Sequence, residues 1–361
     1  MRQKRVIISG GGTGGHLFPA LVLGRKLGQM DPELELTFVG SGRETERTIL
    51  ARQEVRYVPL RIEGLKGRGW RRFKALALLP GAFLKSLGLL LRLKPALVVG
   101  VGGYSSGPIV LLASWLRIPT LILEQNVRPG FTNRLLLRRV RKAVAAFEAS
   151  LPYFKGKGVC LGNPVREEFY AVPPKQRDGR LTLLVFGGSQ GSHFLNRAVV
   201  ETLPLLGPVK DRLRIYHQTG ERDLDWVKRS YADQGFAGAV VAPFFIEMPD
   251  LFAKTDLVLG RAGATTCAEL IAARKASILV PFAQAADDHQ AGNAAALKDA
   301  GGADVILESE WTPARLAEKI LAFLEHQERI SVMEKNLDPL KKEAAAEAIA
   351  GLCFELMEAR R

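Results

Sequence analysis

The feature that most constrains this chain is the alternation of short apolar runs with longer helix-like stretches. RVIIS (5–9), LTFVG (36–40), ALVVGVGG (96–103) and TLILE (120–124) are separated by segments such as HLFPALVLGRKLGQM (16–30) and PIVLLASWLR (108–117). Strands this apolar are buried on both faces, which calls for a parallel sheet covered by helices on either side. The pattern breaks at LGNPVREEF (161–169) and the polar, proline-bearing AVPPKQRDGR (171–180), then restarts. LTLLVF, LRIYHQ, AVVAPF, DLVLG and ASILVP supply five further strand candidates. An α/β chain of two parallel-sheet domains is expected, and 361 residues are enough for two cores.

The restart carries a weak internal repeat. IISGGGTGGH (7–16) and LVFGGSQGSH (184–193) each place a strand, a Gly-Gly pair, a hydroxyl residue and another glycine before a helix. Two more glycine turns, GVGGYSSGP (100–108) and GRAGATT (260–266), also follow strand candidates. Glycines there let backbone N–H groups and a helix dipole approach a phosphate. Four such turns spread over both halves point to a ligand cleft between two domains.

Gly10, Gly12 and Gly15 satisfy the G-x-G-x-x-G spacing of a dinucleotide fingerprint. That fingerprint needs an acidic residue at the end of the second strand to hold the ribose. Here the strand ends at Gly40-Ser41-Gly42, and Glu44 lies beyond it, which argues against NAD. In the second half Glu269 falls one helical turn after Thr265, where it can face a ribose whose phosphates rest on the helix start, or simply favour the helix dipole. Arg261 can pair with a phosphate or sit in solvent. Asp288, Gln290 and Asn293 can bond sugar hydroxyls or cap a helix.

His16 follows the first glycine loop at a helix start, where a base can face substrate or a ring can pack the loop. His193, His217, His289 and His326 have no metal spacing, and Asp223-x-Asp225 reads as a helix start rather than a metal site. No G-x-S-x-G elbow supports a hydrolase.

The formal charge of +14 is unevenly spread: residues 1–160 hold 27 Lys and Arg against 9 Asp and Glu, so the first half carries all of the excess. That half also contains KGRGWRRFKALALLPGAFLKSLGLLLRLK (66–94), where Leu76, Leu79 and Phe83 are interspersed with Arg71, Arg72 and Lys85. Such a segment suits an anionic lipid surface, or a buried helix with a basic outer face; no nucleic-acid motif accompanies it. The most apolar region, 75–103, is interrupted by Pro80, Lys85, Arg92, Lys94 and Pro95, so no transmembrane helix is expected, and the N-terminal apolar run is too short for a signal peptide. Three separated cysteines suit a reducing, cytoplasmic setting.

Taken together, GGTGGHLFPA, GVGGYSSGP, LEQNVRPGFTN, GNPVR, FGGSQGS, HQTG, GRAGATTCAEL and DDHQAGNA resemble, in order and spacing, the MurG family of UDP-N-acetylglucosamine transferases acting on undecaprenyl-pyrophosphoryl-MurNAc-pentapeptide. The resemblance implies a GT-B fold: an acceptor- and membrane-binding domain at 1–163, a UDP-GlcNAc domain at 164–340, and a last helix at 341–361 returning to the first domain. It also implies an inverting transfer of GlcNAc to the C4 hydroxyl of MurNAc (lipid I to lipid II) in peptidoglycan synthesis, at the cytoplasmic face of the plasma membrane. No metal or other cofactor is implied. Partners would be UDP-GlcNAc, lipid I, the anionic membrane and other cell-wall synthesis proteins. Carried over by match, the donor would meet Thr13, Gly14, Gly15, Asn126, Arg166, Ser189, Gln190, Phe245 or Ile246, Arg261, Ala264, Thr265, Glu269, Gln290 and Asn293. Gly12, Tyr104 and Glu124 would line the acceptor face, with His16 as base. Relatives often carry a histidine where this chain has Leu123, so that position offers no base here. A UDP-GlcNAc 2-epimerase would share the fold and donor without needing the basic apolar segment.

Overall fold

A computed structural model describes residues 4–11, 14–51, 55–60, 62, 70–285 and 288–359, leaving aside the side chains of 45, 48, 49 and 70–76. The chain divides into two compact units, Met1–Val165 with Ala344–Arg361, and Arg166–Glu343.

The first unit is built on β1 (Arg5–Gly10), α1 (Gly14–Met30), β2 (Glu35–Gly40), α2 (Glu44–Ala51), β3 (Arg56–Pro59), α3 (Trp70–Leu93) and β4 (Leu97–Gly102). It continues through α4 (Ser106–Trp115), β5 (Thr120–Glu124), α5 (Phe131–Leu136), β6 (Lys142–Ala145) and β7 (Gly158–Cys160). Its seven strands are all parallel in the order β3-β2-β1-β4-β5-β6-β7. Alternate residues of β1 serve opposite cores: Val6 and Ile8 pack with Leu17, Leu23 and Leu27 of α1, whereas Ile7 packs with Leu89, Leu90 and Leu93 of α3.

The second unit opens with α6 (Glu167–Tyr170) and β8 (Leu181–Phe186). It runs through α7 (His193–Leu206), β9 (Leu213–Gln218), α8 (Leu224–Asp233), β10 (Val240–Ala242), α9 (Met248–Lys254), β11 (Leu257–Gly260), α10 (Ala264–Ala272) and β12 (Ser277–Leu279). It closes with α11 (His289–Asp299), β13 (Ala303–Val305), α12 (Pro313–Glu325) and α13 (Glu328–Asn336). Its six parallel strands repeat the same winding, β10-β9-β8-β11-β12-β13. In both sheets the strand order therefore reverses beside the first strand of the unit, and ligands of such sheets bind at the strands' carboxyl ends at that switch point. All four glycine turns read in the sequence follow the strands flanking these two points.

The last helix, α14 (Ala345–Glu358), belongs to the first unit. Its Ile349, Ala350, Cys353, Leu356 and Met357 join the core formed by β1 and α1.

On α3, Ala82, Ser86, Leu89, Leu90 and Leu93 form the buried stripe. This rotates Leu79 and Phe83 onto the half-buried flank instead of the surface expected of them, and turns Leu84 (72% exposed) and Leu91 (57%) outward. Lys85 is exposed and donates to the Pro59 carbonyl at 2.7 Å. The side chains of Leu76, Arg71 and Arg72 lie outside the described residues. Trp115, Leu116 and Leu135 are further exposed apolar side chains, and α3 and α5 both contact α4.

Candidate active site

At the first switch point the β1 and β4 loops interlock. The β1–β4 register slips between Ser9 and Gly10, so that Gly10 faces Gly102. A Cβ on Gly103, whose φ is +79°, would stand 2.4 Å from the Gly11 carbonyl oxygen, so only glycine permits this approach. Gly14 and Gly15 begin α1; Gly12 and Thr13 lie outside the described residues. The half-buried His16 ring lies against β4, and a Cβ on Gly102 would fall 2.7 Å from its Cδ2 and 2.9 Å from its Nε2. Imidazole is thereby seated where ligands of this sheet type bind. Tyr104, half-buried, follows on the same loop.

Two carboxylates near this point are committed to the fold. Glu124, expected on the acceptor face, is buried and accepts hydrogen bonds from the amides of Asn126 (3.0 Å) and Gly130 (2.9 Å) and from Asn126 Nδ2 (3.1 Å) and Asn133 Nδ2 (2.9 Å). It shapes the 124–133 loop from within and, through Asn126 Nδ2, orients the Asn126 side chain. Glu46, overlooked in the sequence, folds back from α2 against Gly11 and Gly40 and accepts from Ser41 Oγ (2.7 Å), Gly42 N (3.2 Å) and Tyr57 Oη (2.9 Å). A carboxylate does therefore reach the end of β2, but sealed against the loop rather than open to a ribose.

The second switch point is organised alike. Gly191 (φ +72°) and Gly220 (φ +76°) let the loops after β8 and β9 touch backbone to backbone; a Cβ on Gly191 would sit 2.0 Å from the Thr219 oxygen. Ser189 and Gln190, at the apex of the glycine loop, are exposed. Buried Gln218, on β9, joins this loop to the next segment: its Nε2 donates to Gly188 O (3.0 Å) and its Oε1 accepts from Phe245 N (2.8 Å). The phenyl ring of Phe245 packs edge-on to Tyr216, and Ile246 is left 75% exposed. This divides the work between two residues that the sequence leaves as alternatives: Phe245 anchors and Ile246 faces outward.

After β11 the chain enters α10 through Gly263, which carries no side-chain cap, and the Thr265 hydroxyl in the first turn is buried without a hydrogen-bond partner. An uncapped helix start with an unmet hydroxyl suits a phosphate. One turn on, Glu269 keeps some surface as a residue while its carboxyl is enclosed by protein. That desolvation pushes its pKa up to about 7, against the opposing pull of Arg166. Arg166, at the start of α6, also lies over the Phe169 ring.

Three residues expected at the donor also hold the loops. Arg261 is buried: its Nε donates to Ser192 Oγ (3.1 Å), its Nη1 to the Val280 and Pro281 carbonyls, and Nη1 pairs with Glu308 at 2.5 Å between the Phe194 and Phe282 rings. The expected leaving-group cation is thus spent on joining the β8, β11 and β12 loops. Asn293 is fully buried and donates to Ala262 O (3.1 Å), supporting the α10 entry from behind. Gln290 Oε1 accepts from Phe282 N at 3.0 Å.

Asp223 holds His193, Asn196 and Trp226 by hydrogen bonds, as a structural hub rather than a metal ligand. Among the described residues no group of three or more His, Cys, Asp or Glu is placed to hold a metal ion. His217, buried between Tyr231 and Asn196, has its pKa pushed down to about 3 by desolvation, so it is a neutral structural ring.

Comparison with known proteins agrees with this architecture. Residues 6–145 match the glycosyltransferase family 28 N-terminal domain and 182–351 the glycosyltransferase family 28 C-terminal domain. The chain is 45% identical over 359 residues to the UDP-N-acetylglucosamine–N-acetylmuramyl-(pentapeptide) pyrophosphoryl-undecaprenol N-acetylglucosamine transferase of Myxococcus xanthus, covering 98% of this chain and 94% of that one. It is 43% identical to the protein of the same name from an Anaeromyxobacter species, covering 99% and 94%. The crystal structure of Acinetobacter baumannii MurG superposes with a TM-score of 0.79 at 29% identity, covering 98% of this chain and 99% of that one. The paired parallel-sheet units are thus the GT-B fold. A UDP-GlcNAc 2-epimerase from Neisseria meningitidis, at 14% identity and a TM-score of 0.67 over 97% and 100% of the two chains, shares that fold alone. Matched by both family 28 domains and over nearly its whole length by these transferases, the chain belongs to glycosyltransferase family 28, among the MurG-type N-acetylglucosaminyltransferases.

Proposed function

We propose that this protein moves GlcNAc from UDP-GlcNAc to the C4 hydroxyl of MurNAc in undecaprenyl-pyrophosphoryl-MurNAc-pentapeptide, with inversion at the sugar C1 and release of UDP. The observation that carries this reading is the uncapped start of α10, with the unmet Thr265 hydroxyl in its first turn and the Glu269–Arg166 pair one turn beyond. In it the donor diphosphate rests on the Ala264–Thr265 amides and the Ser189–Gln190 loop, Glu269 accepts from the ribose hydroxyls, Ile246 borders the uracil and Gln290 meets the GlcNAc. Arg166 balances the charge of the diphosphate and of Glu269.

Single displacement requires a base for the acceptor hydroxyl and stabilisation of the departing diphosphate. His16 takes the proton, and the α10 N-terminus receives the charge growing on the UDP oxygen. Gly14, Gly15 and Asn126, with Thr13, line the acceptor face and reach the donor sugar, Gly12 and Tyr104 complete the acceptor side, and Glu124 acts through Asn126. Arg261 and Asn293 serve by holding the α10 entry in place.

The acceptor is a lipid, and the outward Leu84 and Leu91 with Lys85 and Arg92 support seating of α3 on an anionic membrane. No helix among the described residues is long and apolar enough to cross a membrane. UDP release from UDP-GlcNAc tests the reading: release dependent on a lipid I analogue is expected, and ManNAc formed without acceptor would overturn it in favour of epimerisation.

A further inference from the structure

A cavity of about 270 Å³ opens in the second unit, away from the glycine loops. It is lined by Lys175 and Arg177 from the segment after α6, by Arg274 and Lys275 past the end of α10, and by Ser331, Glu334, Lys335 and Asp338 on and after α13. Lys275 lies two residues before β12, and its partner residue Thr255 two residues before β11, so this is the amino-terminal edge of the sheet. The phosphate-ready start of α10 is at the other end of that helix, roughly 13 Å away for nine residues.

Charge and hydrogen bonding in this cavity do not close. Five cations, Lys175, Arg177, Arg274, Lys275 and Lys335, meet three carboxylates, Asp256, Glu334 and Asp338, leaving two positive charges in excess. Lys175 pairs with the fully buried Asp256, and Arg177 with Glu334 at 2.9 Å. The remaining pairs are loose: Arg177 Nε to Asp256 Oδ1 at 3.6 Å, Lys275 Nζ to Glu334 Oε1 at 3.9 Å, Arg274 to Asp338 at 3.9 Å. Lys275, 1% exposed, makes one hydrogen bond, to Thr255 O at 3.1 Å, so two protons of a buried ammonium lack an acceptor at bonding distance. The Arg177 Nε proton lacks one too. Burial and the neighbouring Arg177 and Lys175 pull the Lys275 pKa down, against Glu334 and Asp256.

We propose that this cavity binds a small anion of the phosphate class. Its volume lies below the roughly 300–1,000 Å³ of drug-sized ligand sites, which fits one or two phosphate groups. An anion there would neutralise the excess charge and engage Lys275, Arg274 and Lys335. It would also fasten together segments 172–177 and 331–338, which lie close in sequence to the two points, 165/166 and 343/344, where the chain passes between units.

Pyrophosphate is the probe. It is titrated calorimetrically into the full chain with UDP saturating, at ionic strength held constant with NaCl, and compared with the Arg274→Gln/Lys335→Gln double variant. Both substituted side chains keep surface, so the buried pairs stay intact. Binding beyond the chloride background, weakened at least about tenfold in the double variant, is expected for the loss of charge-assisted hydrogen bonds. No binding above that background, or equal affinity in the double variant, overturns the proposal. Binding at the glycine loops would be indifferent to Arg274 and Lys335, so the outcome does not depend on the donor-site reading.

Discussion

Replacing Glu269 with Gln should stabilise the protein above pH 7 while weakening its hold on the donor. The carboxyl has its pKa raised from 4.5 to about 7 by burial, so the fold prefers it protonated. At about 1.4 kcal/mol per unit, ionising it in the folded state costs up to about 3 kcal/mol, less whatever its remaining solvent contact recovers. The sign follows: below pH 4.5 both folded and unfolded states carry the proton and the group costs nothing; from 4.5 to 7 stability falls; above 7 the loss is complete. Glutamine never ionises. The melting temperature of Glu269→Gln should therefore match that of the parent near pH 4.5 and exceed it increasingly up to pH 7, then hold a constant lead, at roughly 2–4 °C per kcal/mol for a unit of this size.

Donor binding reverses the preference, because ribose hydroxyls donate to the ionised form. UDP-GlcNAc, whose diphosphate has no proton to lose near neutrality, should bind the parent up to about tenfold more weakly for each pH unit below 7. Binding should release a proton there, visible as a buffer-dependent heat, whereas Glu269→Gln should bind weakly at every pH. Equal melting temperatures for the two proteins at pH 8, or a parent affinity flat between pH 5.5 and 8.5, would refute the argument.

His16→Ala should lower turnover by about 100-fold or more with little change in UDP affinity, measured by acceptor-dependent UDP release; unchanged turnover would return the ring to a packing role. Leu84→Ser with Leu91→Ser should reduce pelleting with anionic vesicles more than Leu79→Ser with Phe83→Ser, which lie on the half-buried flank. Gly191→Ala puts a methyl into the Thr219 carbonyl at a positive φ, and should cost about 1–3 kcal/mol by denaturant unfolding along with UDP affinity.

The long apolar strands and the four glycine turns were legible because both are local: an apolar run sets its own burial, and a glycine turn announces a close approach. β3, β6, β7 and β13 were not, since RYVP, KAVA, GVC and ADV are too short for a pattern to emerge. Side-chain roles divided along the same line. Glu124 accepts its four hydrogen bonds from three residues within nine positions, in the quoted LEQNVRPGFTN stretch. Arg261 could not be read that way. Its residue type and its glycine loop suit a phosphate, but its role is decided by Glu308, far along the chain. Gln218 bridges two loops from the interior of a strand, where its polarity was the only clue.

Because α14 completes the β1–α1 core, residues 166–343 are in effect an insertion within a domain whose last piece is synthesised after them. As the chain leaves the ribosome, the first sheet must wait with an apolar groove open until the second unit is already made. The ends of the insertion are clasped: Tyr170 Oη donates to Lys342 O at 3.0 Å, and the Lys341 ammonium lies over its ring. A second unit whose two ends are held together in this way leaves α14 free to return to the groove of the first sheet that it fills.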